Sequence, residues 1–220
     1  AFHNDQLGPF LQKLSEVSGF SHALPMNSGA EAVETGLKAV RKWSEKVKGI
    51  PENQSQILVA TNNFHGRTIS IISFSTEAQY RDGFGPFTPG FTIVPYGDLE
   101  AMQAAITPQT AAILVEPIQG EGGYIVPPPG FFPALRKLCD KYDILLIADE
   151  VQSGMGRTGK WWAIENFGVE PDILTSAKGI ASGVPLGACI ARKSIMDWER
   201  GAHGNTYGGN PLACAAANIT

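Results

Sequence analysis

The segment Ile144-Leu-Leu-Ile-Ala148-Asp149-Glu150-Val151-Gln152 decides the fold class, because an unbroken apolar run, rich in branched side chains, stops at two carboxylates. A short run with no polar alternation fits a strand covered on both faces. Working outward, similar runs stand at Ile57-Leu-Val-Ala60, Phe91-Thr-Ile-Val-Pro95, Ala111-Ala-Ile-Leu-Val115, Ile173-Leu-Thr-Ser176 and Leu186-Gly-Ala-Cys-Ile-Ala191. Between several of them the period changes. Within residues 30–47, Val33, Leu37, Val40, Trp43 and Val47 recur at three- or four-residue intervals ahead of Gly49 and Pro51, and residues 131–142 repeat the helical pattern. Strands alternating with helices predict an α/β fold, a mostly parallel sheet with helices on both faces. In such sheets ligands bind beyond the carboxyl ends of the strands. There the sequence places Glu116-Pro117, Asp149-Glu150 and, after Ile173-Leu-Thr-Ser-Ala177, Lys178-Gly179.

Composition narrows the function classes. Of 220 residues, 43% are hydrophobic, and 17 Lys+Arg against 21 Asp+Glu leave a formal charge of -4, so a core can form and disorder is excluded. An acidic chain without basic blocks is not expected to bind nucleic acid. No apolar run approaches the roughly 20 residues of a membrane-spanning helix, so a soluble protein with no membrane role is expected. Cys139, Cys189 and Cys214 have no C-x-x-C spacing and His3, His22, His65 and His203 are scattered, so neither disulfides nor a metal site are expected. The expected compartment is reducing: the cytoplasm, or the mitochondrial matrix for a eukaryotic source. No internal boundary divides residues 1–220, which read as one domain. The chain stops inside Asn210-Pro-Leu-Ala-Cys-Ala-Ala-Ala-Asn-Ile-Thr220, an unfinished helix, so a piece of a longer protein is expected.

Two nucleotide motifs fail on inspection. Gly154-Met-Gly-Arg-Thr-Gly159-Lys160 lacks the hydroxyl residue a phosphate loop needs after its lysine, since Trp161 stands there. As a dinucleotide motif it lies too far from its strand, and no apolar helix follows at once. Asn27-Ser-Gly-Ala-Glu31 opens the first long helix, where free N–H groups and the helix dipole suit a phosphate. Ser28 and Glu31 equally make a capping box, which stabilises a helix start with no ligand.

Asp149 alone could cap a turn, and Lys178 alone could be a surface lysine. At the ends of two buried strands, 178 − 149 = 29 residues apart, they match the needs of pyridoxal phosphate: an amine for the aldehyde and a carboxylate for the pyridine nitrogen. The sequence resembles the class III (ω-amino acid) aminotransferases, pyridoxal phosphate enzymes of the aspartate aminotransferase fold (fold type I). The resemblance is carried by Asn27-Ser-Gly-Ala-Glu-Ala32, Phe64-His-Gly-Arg-Thr68, Val115-Glu-Pro-Ile-Gln-Gly-Glu121, Ala148-Asp-Glu-Val-Gln152, Gly156-Arg-Thr-Gly159, Ala177-Lys-Gly179 and Thr206-Tyr-Gly-Gly-Asn210, in family order.

That resemblance implies a role for each matching residue. Lys178 would be the Schiff-base lysine and Asp149 the partner of the ring nitrogen. Ser28, Gly29 and Ala30 would hold the phosphate. Phe64 would stack on one ring face, with His65 beside it, Val151 on the other face and Gln152 at the phenolic oxygen. Thr206 would reach the phosphate of a neighbouring subunit, which implies a homodimer with shared active sites. Arg67 and Glu121 would bind substrate. Residues 1–220 would be the large cofactor-binding domain, without the family's N-terminal segment and small C-terminal domain. The implied reaction passes an amino group from a small-molecule donor to a 2-oxo acid, 2-oxoglutarate.

The donor is read from subgroup patterns. Trp43-Ser-Glu-Lys-Val-Lys-Gly-Ile50, Gly83-Phe-Gly-Pro-Phe87 and Pro95-Tyr-Gly-Asp98 resemble members acting on the δ-amine of ornithine. The lysine loop Ala177-Lys-Gly-Ile-Ala-Ser-Gly183 with Pro185-Leu-Gly-Ala188 resembles members acting on 4-aminobutyrate. The expectation is ornithine, with 4-aminobutyrate or acetylornithine transamination, or amino-acid racemisation, as alternatives.

Overall fold

Each apolar run singled out above forms a strand. The computed structural model describes residues 4–220, so His3 lies outside it. Its strands are β1 (His22–Met26), β2 (Gln56–Ala60), β3 (Phe91–Val94), β4 (Thr110–Val115), β5 (Leu145–Asp149), β6 (Ile173–Ser176) and β7 (Gly187–Ala191), in one sheet of order β1-β7-β6-β5-β4-β2-β3. Only β7 runs against the rest, pairing antiparallel with both β6 and β1. Between β6 and β7 the chain has no crossover helix, so it returns antiparallel, as short connections require.

The helices are α1 (Leu7–Ser18), α2 (Gly29–Lys46), the single turn α3 (Ile69–Ile72), α4 (Leu99–Ala105), α5 (Phe131–Tyr142) and α6 (Pro211–Ile219). Strand side chains alternate between faces, and the alternation separates two cores. Ile57, Leu114, Ile147 and Ile173 pack with Val33, Leu37 and Val40 of α2. Leu58, Ile113, Leu146 and Leu174 turn to the other face, against Met102, Phe132, Leu135 and the α1 residues Phe10 and Leu14. No helix among the described residues is long and apolar enough to cross a membrane.

The sequence pattern did not point to β1. Pro25 interrupts the run, and only Met26 is buried in this edge strand, the place where a strand tolerates proline. β1 and β7 matter because they bring the start of α2 to the carboxyl ends of β5 and β6. Contact there is between backbones: a Cβ at Gly187 would stand 2.4 Å from the Ser28 carbonyl oxygen. Gly187→Ala is therefore expected to lower stability by about 1–3 kcal/mol, the usual cost of overpacking. A urea midpoint unchanged from the parent would contradict this close approach.

Candidate active site

Asp149 is the last residue of β5, in register with Thr175 of β6. A buried carboxylate keeps its charge only if donors replace the lost water. Here the Thr175 hydroxyl donates to Oδ1 at 3.0 Å, and so does the Val151 N–H, also at 3.0 Å. His65 Nδ1 donates to Oδ2 at 2.5 Å, with both side chains shut off from solvent. Burial by itself would lower the His65 pKa, but the hydrogen bond and the charge of Asp149, helped by Glu116, raise it instead. His65 therefore stands behind the carboxylate as its ion-pair partner, and its Nε2 is a buried atom without a protein partner among the described residues.

Glu116, just beyond β4, is a second buried acid. It accepts from the Phe64 N–H at 3.1 Å and the Gly120 N–H at 3.4 Å. Burial pushes its pKa up to about 7, the His65 charge pulls it down and that of Asp149 pushes it up again.

The start of α2 closes one end of the site. The Ser28 hydroxyl accepts from the Glu31 N–H at 3.2 Å, and the Glu31 carboxylate accepts from the Asn27 N–H at 2.6 Å. The Ser28 half of the expected capping box is thus present, whereas Glu31 reaches the N–H of Asn27 and not that of Ser28, and the N–H groups of Gly29 and Ala30 belong to the first turn, where an intrahelical partner cannot exist. Val151 packs so closely on this turn that a Cβ at Gly29 would meet Val151 Cγ1 at 2.6 Å.

Lys178 lies two residues beyond the end of β6, after Ala177. Its backbone has φ 45°, in the left-handed region, which a non-glycine residue adopts at a cost that surrounding structure must offset. Its Nζ donates to Gln152 Oε1 at 2.5 Å. A cavity of about 310 Å³ lies between Phe64, Val151 and the start of α2, with Asp149 and Lys178 in its wall. A second, of about 630 Å³, shares Val151 and Lys178 and is bordered by Gln152, Glu121, Tyr124 and Arg157. Such volumes suit small-molecule ligands.

Of the residues singled out from sequence, Ser28, Gly29, Ala30, Phe64, His65, Asp149, Val151 and Lys178 line the first cavity. Gln152 and Glu121 border the second. Arg67 is exposed and stacks its guanidinium over Tyr80 at 4.9 Å and Phe64 at 5.6 Å. Thr206 is exposed and borders neither cavity. Thr175 escaped the sequence reading, and Glu116 was placed at a strand end but given no role. Thr175 sits inside an apolar run and Glu116 beside a proline, so the available signal was position at a strand end.

A sequence model of the aminotransferase class-III family matches residues 1–220. The chain belongs to this family. Among its class-III relatives is the ornithine aminotransferase of Brevibacillus brevis, 55% identical over 219 residues, 99% of this chain and 55% of the relative. Among solved structures, an ornithine aminotransferase from Toxoplasma gondii, described with partial occupancy of PLP at its active site, is 46% identical with a TM-score of 0.96, over 98% of this chain and 51% of that one. An acetylornithine aminotransferase from Elizabethkingia anophelis is 45% identical with a TM-score of 0.83, over 98% and 51%. The chain spans about half the length of the curated relatives it matches. Membership implies pyridoxal phosphate as cofactor.

The state of Glu116 can be read from stability. Between the ordinary carboxyl value of 4.5 and about 7, the unfolded chain gives up this proton while the folded apoprotein keeps it. Stability from this group therefore falls as pH rises through that window. Glu116→Gln should flatten the pH dependence of the urea midpoint there, and parallel curves for parent and variant would refute the assignment.

Proposed function

We propose that residues 1–220 are the large, cofactor-binding domain of a pyridoxal phosphate aminotransferase that transfers the δ-amino group of ornithine to 2-oxoglutarate. In this reading the whole protein adds an N-terminal segment and a small C-terminal domain, and works as a homodimer with shared sites. The observation that carries it is the placement of Lys178 three residues beyond Thr175, the residue that itself holds Asp149, so that amine and carboxylate open into one cavity.

The residues present fit the cofactor. Lys178 would hold its aldehyde carbon, and the N–H groups of Gly29 and Ala30 with the Ser28 hydroxyl its phosphate. Phe64 and Val151 would cover the two ring faces, Asp149 would meet the ring nitrogen and Gln152 the phenolic oxygen. When bound, pyridoxal phosphate supplies an electron sink for the substrate carbon that carries the amine. Asp149 would hold a proton on the ring nitrogen, with His65 hydrogen-bonded behind it. Lys178 Nζ would move a proton at the substrate carbon. Gln152, within reach of Nζ, orients the amine. Thr206 is exposed, as a residue serving a neighbouring subunit must be.

Ornithine is favoured because relatives of that name match 99% of the chain at 50 to 55% identity. The chemistry agrees: ornithine keeps an α-ammonium and a carboxylate away from the reacting carbon, and Glu121 and Arg67 carry the complementary charges. The likeness to an acetylornithine enzyme supports a second reading, in which the α-amine is acetylated and Glu121 has no cation to pair. The three cysteines are free, buried thiols, as a reducing compartment such as the cytoplasm would leave them.

Two measurements test the proposal on the full-length protein. With 2-oxoglutarate, ornithine should yield a pyrroline detectable with o-aminobenzaldehyde, at a higher kcat/KM than acetylornithine or 4-aminobutyrate; the opposite order would transfer the assignment. Asp149→Ala should retain bound pyridoxal phosphate but lose turnover by at least about a hundredfold, the scale of one electrostatic partner in a buried site. Near-parental turnover in the loaded variant would remove Asp149 from the reaction.

A further inference from the structure

The stretch 199–210, between Trp198 and α6, carries Thr206 and rests on α2 through His203. Hydrogen-bond accounting fixes the state of this imidazole. The Thr35 hydroxyl donates to the Glu31 carbonyl, one turn back, at 2.7 Å. Its oxygen is therefore left to accept from His203 Nε2, 2.8 Å away. On the other side of the ring, Lys38 Nζ stands 2.8 Å from Nδ1. An ammonium has donors only, so Nδ1 must accept. The ring is neutral, with its proton on Nε2.

The charged groups facing it are Lys38 and Glu34, both on α2. Glu34 also accepts from the Thr68 hydroxyl. Trp198 meets the imidazole edge to face, 5.6 Å between ring centroids. Burial and the Lys38 charge hold the His203 pKa below its ordinary value, against the pull of Glu34. The loop's other anchor does not titrate: Asn205 Nδ2 donates to the Pro25 carbonyl at 2.9 Å, and its Oδ1 accepts from Asn27 Nδ2 at 3.1 Å.

We propose that neutral His203 is a positioning residue that latches the 199–210 loop onto α2, and that protonation opens the latch by setting Nδ1–H against the Lys38 ammonium. The Thr35 contact survives protonation, because Nε2 still donates. The Lys38 contact cannot, because both atoms are then donors. Residues 199–204 are then held to the helix by the Thr35 contact alone, while Asn205 stays fixed. The consequence for cofactor retention rests on the reading of Thr206 as a phosphate ligand.

Hydrogen exchange of the loop amides in the full-length apoprotein tests the latch without the cofactor. After correction for intrinsic rates, protection should fall roughly tenfold as pH drops through the region where a histidine below its ordinary pKa titrates. His203→Gln, whose amide can still donate to Thr35 but does not titrate, should show no such step. Lys38→Met should raise the His203 pKa, followed by NMR, while abolishing the step, since no opposing donor remains. A step that persists in His203→Gln, or its absence in the parent, would overturn the latch. Titration with pyridoxal phosphate forms the second arm: affinity should weaken about threefold to tenfold through the same pH step in the parent, beyond any change in His203→Gln. Exchange that steps without affinity following would leave the latch standing and remove Thr206 from the phosphate site.

Discussion

A carboxylate taken out of water must be given donors, and Asp149 receives three, from three separate parts of the chain. Thr175 comes from the neighbouring strand, Val151 from the turn that follows, and His65 from the segment after β2. Replacing Thr175 or His65 by an apolar residue would leave a buried charge undersupplied, the costly side of hydrogen-bond energetics. The carboxylate thus constrains the sheet register at β5 and β6, the shape of the turn after β5 and the path of residues 61–68. Glu116 extends the constraint, since it holds the backbone of Phe64 and of Gly120 at once.

The site around this charge is built by close backbone approach. Gly187 lets β7 pass the Ser28 carbonyl, and Gly29 lets the first turn of α2 reach Val151. A Cβ at Gly120 would fall 2.3 Å from Gln152 Nε2, so the loop bearing Glu121 lies directly on the side chain that accepts from Lys178. Lys178 itself sits in left-handed backbone geometry, stabilised by its neighbours' packing and not by its own preference. Strain at the residue in the wall of both cavities is the reverse of what stability alone would select, and it accords with a role for its amine.

Much of this was legible from residue order. The apolar runs located the strands because a sheet covered on both faces needs continuous hydrophobic strands, and their abrupt ends at Asp149 and Lys178 marked the edge where chemistry collects. Ser28 and Glu31 announced the start of α2. The α1 segment carried a readable spacing in Leu7, Phe10, Leu11, Leu14 and Val17, which Gly8 and Pro9 masked. β1 was illegible for a different reason: an edge strand interrupted by proline and mostly half-buried has no pattern to recognise.

Sequence by itself determined the kinds of element, their order and the identity of the groups at the strand ends, since these follow from local hydrophobic patterning and helix-start chemistry. Only the tertiary structure decided which groups meet. His65 and Asp149 lie 84 residues apart and Thr35 and His203 lie 168 apart, and nothing in their local sequence marks either pair. The states of the two imidazoles follow from those meetings, because the form of a ring held between fixed partners is set by the donors and acceptors that the fold brings within reach.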